Sequence, residues 1–143
     1  MRLTATRELA VACRLRRDPA QVGVAREQTR KAVADWGLGE HSDVAELIVS
    51  ELATNALRHG DGSIEVLLSY SGGKLRVAVH DDAHGRPVRQ RASADDERGR
   101  GLVLLDGLAE LYGGERGLVN DPAGPGKTVY VAMSLPVCSA SGP

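Results

Sequence analysis

The chain has 143 residues, 42% of them hydrophobic and 26% charged, with a net charge of −1; this suits one soluble domain of roughly common size with a proper core. Near-neutral charge argues against a nucleic-acid partner, and the lack of Phe, beside one Trp and three Tyr, argues against aromatic stacking on a single strand. No apolar run reaches membrane length and no signal-peptide core opens the chain, so a cytoplasmic protein is expected, with Cys13 and Cys138 as reduced thiols.

Leu9, Val11, Cys13 and Leu15 alternate with Ala10, Ala12, Arg14 and Arg16, which predicts a strand with one buried face. Asp18-Pro19-Ala20-Gln21 follows as a capping pattern with Pro at the first helical position. The helix runs to about Trp36, with Val22, Ala25, Thr29, Val33 and Trp36 on one stripe, and Gly37-Leu38-Gly39 ends it. Ser42 is the expected cap of a second helix, which His59-Gly60-Asp61-Gly62 closes.

That second helix carries two misplaced polar residues. Advancing about 100° per residue from Val44 puts Leu47, Ile48 and Leu52 in or beside one apolar stripe. Glu51 and Asn55 then fall at its centre, one turn apart. A carboxylate and an amide there are expensive unless something polar meets them. Read alone, the pair is as readily bland (a satisfied core pair, or a face turning to solvent near the helix end) as functional.

Ile64, Val66, Leu68 and Tyr70 alternate, Ser71-Gly72-Gly73-Lys74 turns, and Leu75, Val77 and Val79 alternate on the return, which predicts a hairpin. The period of two carries Asp81 onto the same buried face, unless the strand has already ended there. From Asp82 to Arg98 periodicity is lost, and so long a loop in a small domain is usually functional or disordered. Gly99-Arg100-Gly101 then opens an apolar helix from Leu102 to about Tyr112. A short strand Gly117 to Asn120, a turn over 121–126 and a last strand from Thr128 to Leu135 complete the domain, with a tail at 136–143. The order predicts an α+β fold: a two-layer sandwich of one mixed sheet with helices on one face, a single domain over 1–143.

These residues suit a nucleotide. A glycine-rich helix start offers free N–H groups to phosphate, although Gly-x-Gly alone is a weak signal and lacks P-loop spacing. Asn55 suits Mg²⁺ through its amide oxygen. Glu51 suits a general base acting on a hydroxyl near a γ-phosphate. Asp81 can accept from an exocyclic amine, and Lys127 and Thr128 add a charge and a hydroxyl.

In combination the motifs resemble a known superfamily. Glu51-x-x-x-Asn55 followed by His59-Gly60 resembles the N box of the Bergerat-fold (GHKL) ATPases, which include gyrase, chaperones and histidine kinases. Asp81-Asp82-Ala83-His84-Gly85 resembles their Asp-x-Gly-x-Gly box, with Ala83 where the family has its first Gly. Arg98-Gly99-Arg100-Gly101-Leu102 resembles the second glycine box, and Gly126-Lys127-Thr128-Val129 the last, Gly-x-Thr, box. The boxes occur in family order, spanning Leu9 to Leu135. Trp36-Gly37-Leu38 and the run from Glu51 to Gly60 are similar to the stand-alone SpoIIAB/RsbW type of anti-sigma factor and serine kinase. The phospho-acceptor helix pair of a sensor kinase and the transducer domain of gyrase-like enzymes are not expected.

The resemblance implies ATP and Mg²⁺ as cofactors, with Glu51 the catalytic base for a protein serine and Asn55 the Mg²⁺ ligand. It implies that Asp81 binds the adenine amine, Gly85 shapes its loop, Arg98, Gly99, Arg100, Gly101 and Leu102 line the phosphates, and a lid covers them at about 82–98. Thr128 falls near the adenine. A sigma factor and an anti-sigma factor antagonist are the implied partners, and a homodimer through the sheet edge is permitted. The alternative is a non-catalytic, nucleotide-gated regulator that holds a partner without phosphorylating it, a reading that Ala83, by departing from the glycine box, and the unknown partner keep open.

Overall fold

The computed structural model describes residues 9–83 and 96–135, with side chains described over 9–83 and 103–135. Within them the elements are β1 (Leu9–Leu15), α1 (Gln21–Asp35), a 3-10 turn (Gly39–His41), α2 (Ser42–His59), β2 (Ile64–Ser71), β3 (Lys74–Asp81), α3 (Asp96–Leu111), β4 (Glu115–Asn120) and β5 (Lys127–Ser134). The strands form one sheet in the order β1-β2-β3-β5-β4. The fold is α+β in two layers, with the helices against one face of the sheet, as expected.

The sheet itself is antiparallel at every pairing rather than mixed. β3 and β4 run the same way, but β5 inserts between them and opposes both. Alternation then sorts the side chains. Ile64, Val66, Leu68, Leu75, Val77, Val79, Val131 and Met133 are buried, and the register sets Val77 against Val131 and Leu75 against Met133 on the helix-covered face. Gly72 and Gly73, with φ of 58° and 77°, turn the β2–β3 hairpin in the left-handed region that its tight connection demands.

Helix starts differ from the expected caps. Asp18 does act as a cap, but for the turn before α1: its Oδ1 accepts from Ala20 N at 3.0 Å, and the helix begins at Gln21. Ser42 is the first residue of α2 and not its cap, because the 3-10 turn leads the backbone directly into the helix. α3 begins at Asp96, so Gly99, Arg100 and Gly101 lie within its first turns rather than ahead of them. The loop expected to reach Arg98 is correspondingly shorter.

Side-chain ties fix the helices to one another and to the sheet. Arg30 clamps Glu46 of α2 with two bonds at 2.6 and 3.0 Å. These hydrogen bonds hold the Glu46 carboxyl below its ordinary value, so the tie is present at neutral pH and lost as pH falls through that lowered range. Arg116 of β4 holds Asp106 of α3 at 2.7 Å.

In the α1 face toward the core, Thr29 is fully buried and its hydroxyl has no hydrogen-bond partner among the described residues. Thr29→Val keeps the shape and removes the unmatched hydroxyl, so stability should rise by about 1 kcal/mol, or roughly 3 °C in melting temperature. Thermal denaturation checks this; a lower melting temperature would mean that the hydroxyl is bonded in solution.

Candidate functional site

The buried stripe of α2 consists of Ala45, Ile48, Val49, Leu52, Ala53 and Ala56. Its centre lies further round the helix than the sequence pattern suggested. Leu47 is 38% exposed, and Glu51 and Asn55 are half-buried on the flank of the stripe rather than at its centre. The small alanines explain the shift: Ala45, Ala53 and Ala56 let α2 approach its neighbours closely, so they take the core side. Glu51 and Asn55 thereby escape the cost of full burial and keep access from one side.

Asp81, by contrast, is buried to 2% exposure at the end of β3. The last turn of α2 sits directly on it. A Cβ added at Gly60 would come within 2.5 Å of Asp81 Oδ2 and 2.6 Å of its Cγ. The end of the N-box helix and the inward carboxylate, far apart in sequence, are therefore packed together.

The surrounding loops are tied down. Arg17, following β1, donates from Nη2 to Ala56 O and Leu57 O, both at 2.8 Å, and to Gly60 O at 3.3 Å. Its Nη1 reaches Gly62 O at 3.2 Å. A guanidinium at the carbonyl-rich end of α2 satisfies its orphan acceptors and complements the dipole. Asp82 N donates to Asp61 O at 2.9 Å, and Asp82 Oδ2 accepts from Ser63 N at 2.9 Å. Ala83 N donates to Asp81 Oδ1 at 2.8 Å, so the alanine in the glycine box contributes a backbone bond to the site.

The charged partner of Asp81 is Lys127. The register sets the two residues directly opposite one another. Lys127 Nζ lies 2.8 Å from Oδ2 and 3.0 Å from Oδ1, with side-chain exposures of 15% for the lysine and 3% for the aspartate. Thr128 pairs with His80 instead, and the period of two sends it to the opposite face of the sheet from Asp81. The residue of β5 set against Asp81 is therefore Lys127, and Thr128 is set against His80. On the face of Thr128, His80 Nε2 lies 3.0 Å from Asp121 Oδ2, and Asp121 N closes the β4–β5 turn on Gly126 O at 2.9 Å.

Neither Arg17 nor the Lys127 pairing was foreseen. The pairing had a signal: Lys127 shares the parity of Val129, Val131 and Met133, as Asp81 shares that of Leu75, Val77 and Val79. Arg17 had none, since its acceptors are main-chain carbonyls. Gly85 and the neighbouring His84 lie outside the described residues, as does Cys138. Arg98, Gly99, Arg100, Gly101 and Leu102 are placed on α3 by backbone alone.

A model of the histidine kinase-like ATPase domain matches residues 15–130, from the end of β1 into β5. The chain belongs to this family. Its antiparallel five-stranded sheet with three helices is consistent with that ATPase fold, and membership supports an ATP-binding regulatory function. No curated protein matches the chain. Among the described residues of this histidine kinase-like ATPase, no helix is long and apolar enough to cross a membrane.

The donor set suits ATP. A buried carboxylate can accept a hydrogen bond from an exocyclic amine. Among the described residues no three His, Cys, Asp or Glu side chains cluster as metal ligands. Mg²⁺ in such a site depends on few protein oxygens and on the nucleotide's own phosphates, and the half-buried Asn55 amide offers one such oxygen.

Proposed function

We propose that this histidine kinase-like ATPase is an anti-sigma factor and protein serine/threonine kinase that phosphorylates an anti-sigma factor antagonist. The observation that carries the reading is the position of Glu51: half-buried, one turn before Asn55, on the open flank of the helix whose end packs on Asp81. In the proposal Asp81 takes the adenine amine, Gly85 shapes its loop, Asn55 holds Mg²⁺, and Arg98, Gly99, Arg100, Gly101 and Leu102 surround the phosphates. Mg²⁺ would neutralise phosphate charge. Glu51 accepts the proton of the attacking serine hydroxyl, whose oxygen then bonds to the γ-phosphorus as ADP leaves. The other partner is a sigma factor, held in the cytoplasm.

The test is transfer of label from γ-labelled ATP with Mg²⁺ to candidate antagonist proteins. Glu51→Gln should lower transfer by roughly 10²–10⁴-fold while leaving the affinity for ATP within about threefold, because it removes the base and keeps the side-chain shape. Transfer at the wild-type rate by Glu51→Gln would rule out the assigned base. A wild type that binds ATP and an antagonist yet transfers no label would make the protein the nucleotide-gated binding module instead.

A further inference from the structure

We propose that Lys127 is a second reader of the nucleotide base: its ammonium donates to ring nitrogen N1 of the adenine whose 6-amino group Asp81 accepts. This rests on the ATP reading above and assigns a contact within it. The argument begins with the inventory of the pair. An ionised carboxylate offers about four acceptor positions and an ammonium three donors. Among the described residues, Asp81 Oδ1 accepts from Lys127 and from Ala83 N, and Oδ2 accepts from Lys127. Among the described residues that leaves one acceptor position, on Oδ2, the oxygen nearest Gly60.

On Lys127, the two bonds to Asp81 are the side-chain hydrogen bonds among the described residues. One donor remains. The pair thus presents an acceptor and a donor side by side, with no net charge, at a largely buried position. That is the complement of an edge carrying an exocyclic N–H next to a ring nitrogen lone pair, as in a 6-aminopurine.

A different place for the ammonium, at the phosphates, fits less well. Lys127 would have to leave Asp81, whose side chain is 3% exposed, without its counter-charge. The register also holds the lysine directly opposite the aspartate, on a central strand pair of the sheet. Neutralising Asp81 and reading N1 are compatible tasks for one ammonium; neutralising Asp81 and reaching a distant phosphate are not.

Calorimetric titration of the full chain separates these roles. The ligands are Mg·ATP, Mg·1-deaza-ATP (in which N1 is replaced by C–H) and adenosine. Wild type should bind 1-deaza-ATP about tenfold more weakly than ATP, the size expected for one charge-assisted hydrogen bond. Lys127→Met should bind the two nucleotides equally. Equal affinities for ATP and 1-deaza-ATP in wild type, or full discrimination retained by Lys127→Met, would overturn the proposal. So would a Lys127→Met defect seen with ATP but not with adenosine, which would put the lysine at the phosphates. The wild-type comparison needs no variant and stands even if Lys127→Met does not fold. Absence of ATP binding by folded wild type would overturn the ATP reading itself, and the inference with it.

Discussion

Asp81→Asn is expected to weaken ATP binding by roughly ten- to a hundredfold, the equivalent of a lost hydrogen bond to a charged group. The substitution keeps the size of the side chain and turns an acceptor-only group into one that also donates. It puts an N–H where an amine must donate, so the base meets either a like dipole or a rotated amide. Asp81→Asn should also lower stability by about 3 kcal/mol, because Lys127 loses its counter-charge at 15% side-chain exposure. These two effects separate in the double variant. Asp81→Asn with Lys127→Met removes both charges, so stability should recover while ATP binding stays weak. Chemical denaturation and calorimetry together check this. Recovery of ATP binding in the double variant would show that the carboxylate serves only to neutralise the lysine.

Gly60→Ala carries the second large effect. Gly60 has φ −97° and ψ −163°, a backbone any residue adopts, so its requirement is one of space. An added Cβ would lie 2.5 Å from Asp81 Oδ2 and 2.6 Å from Ala56 O. Neither neighbour moves cheaply: the carboxylate is held by Lys127 and Ala83, and Ala56 O accepts from Gly60 N and Arg17. The strain should cost about 3 kcal/mol, or roughly 10 °C in melting temperature. What remains folded should bind ATP poorly, because relief requires Asp81 to shift. A Gly60→Ala protein with unchanged melting temperature and unchanged ATP affinity would mean that α2 does not press on the carboxylate.

The sequence pattern was informative where a regular period met a buried face. β1, the β2–β3 hairpin and the inward Asp81 all followed from alternation, and the structure places each accordingly. It was misleading where small residues decide. Ala45, Ala53 and Ala56 weigh little in an apolar stripe, yet they are the residues that permit close approach, so α2 is rotated and Glu51 and Asn55 sit on its flank. The glycines of α3 looked like a helix start, but the helix already begins at Asp96 and runs through them. Strand order was not legible, because whether β4 or β5 lies next to β3 depends on how the chain returns from α3. Asp81 and Lys127 were each visible as charges of buried parity; only the pairing of β3 with β5 makes them partners.

The central claim is that this end of the sheet, where Gly60 at the end of α2 packs on Asp81 and Lys127 pairs with it, holds ATP. Hydrogen exchange with and without Mg·ATP tests it most directly, because local protection reports where a ligand orders the backbone. Slower exchange is predicted in peptides spanning 51–62, 78–83 and 126–131, with β1 at 9–15 unchanged. No ATP-dependent protection, or protection confined to β1 and α1, would contradict the account.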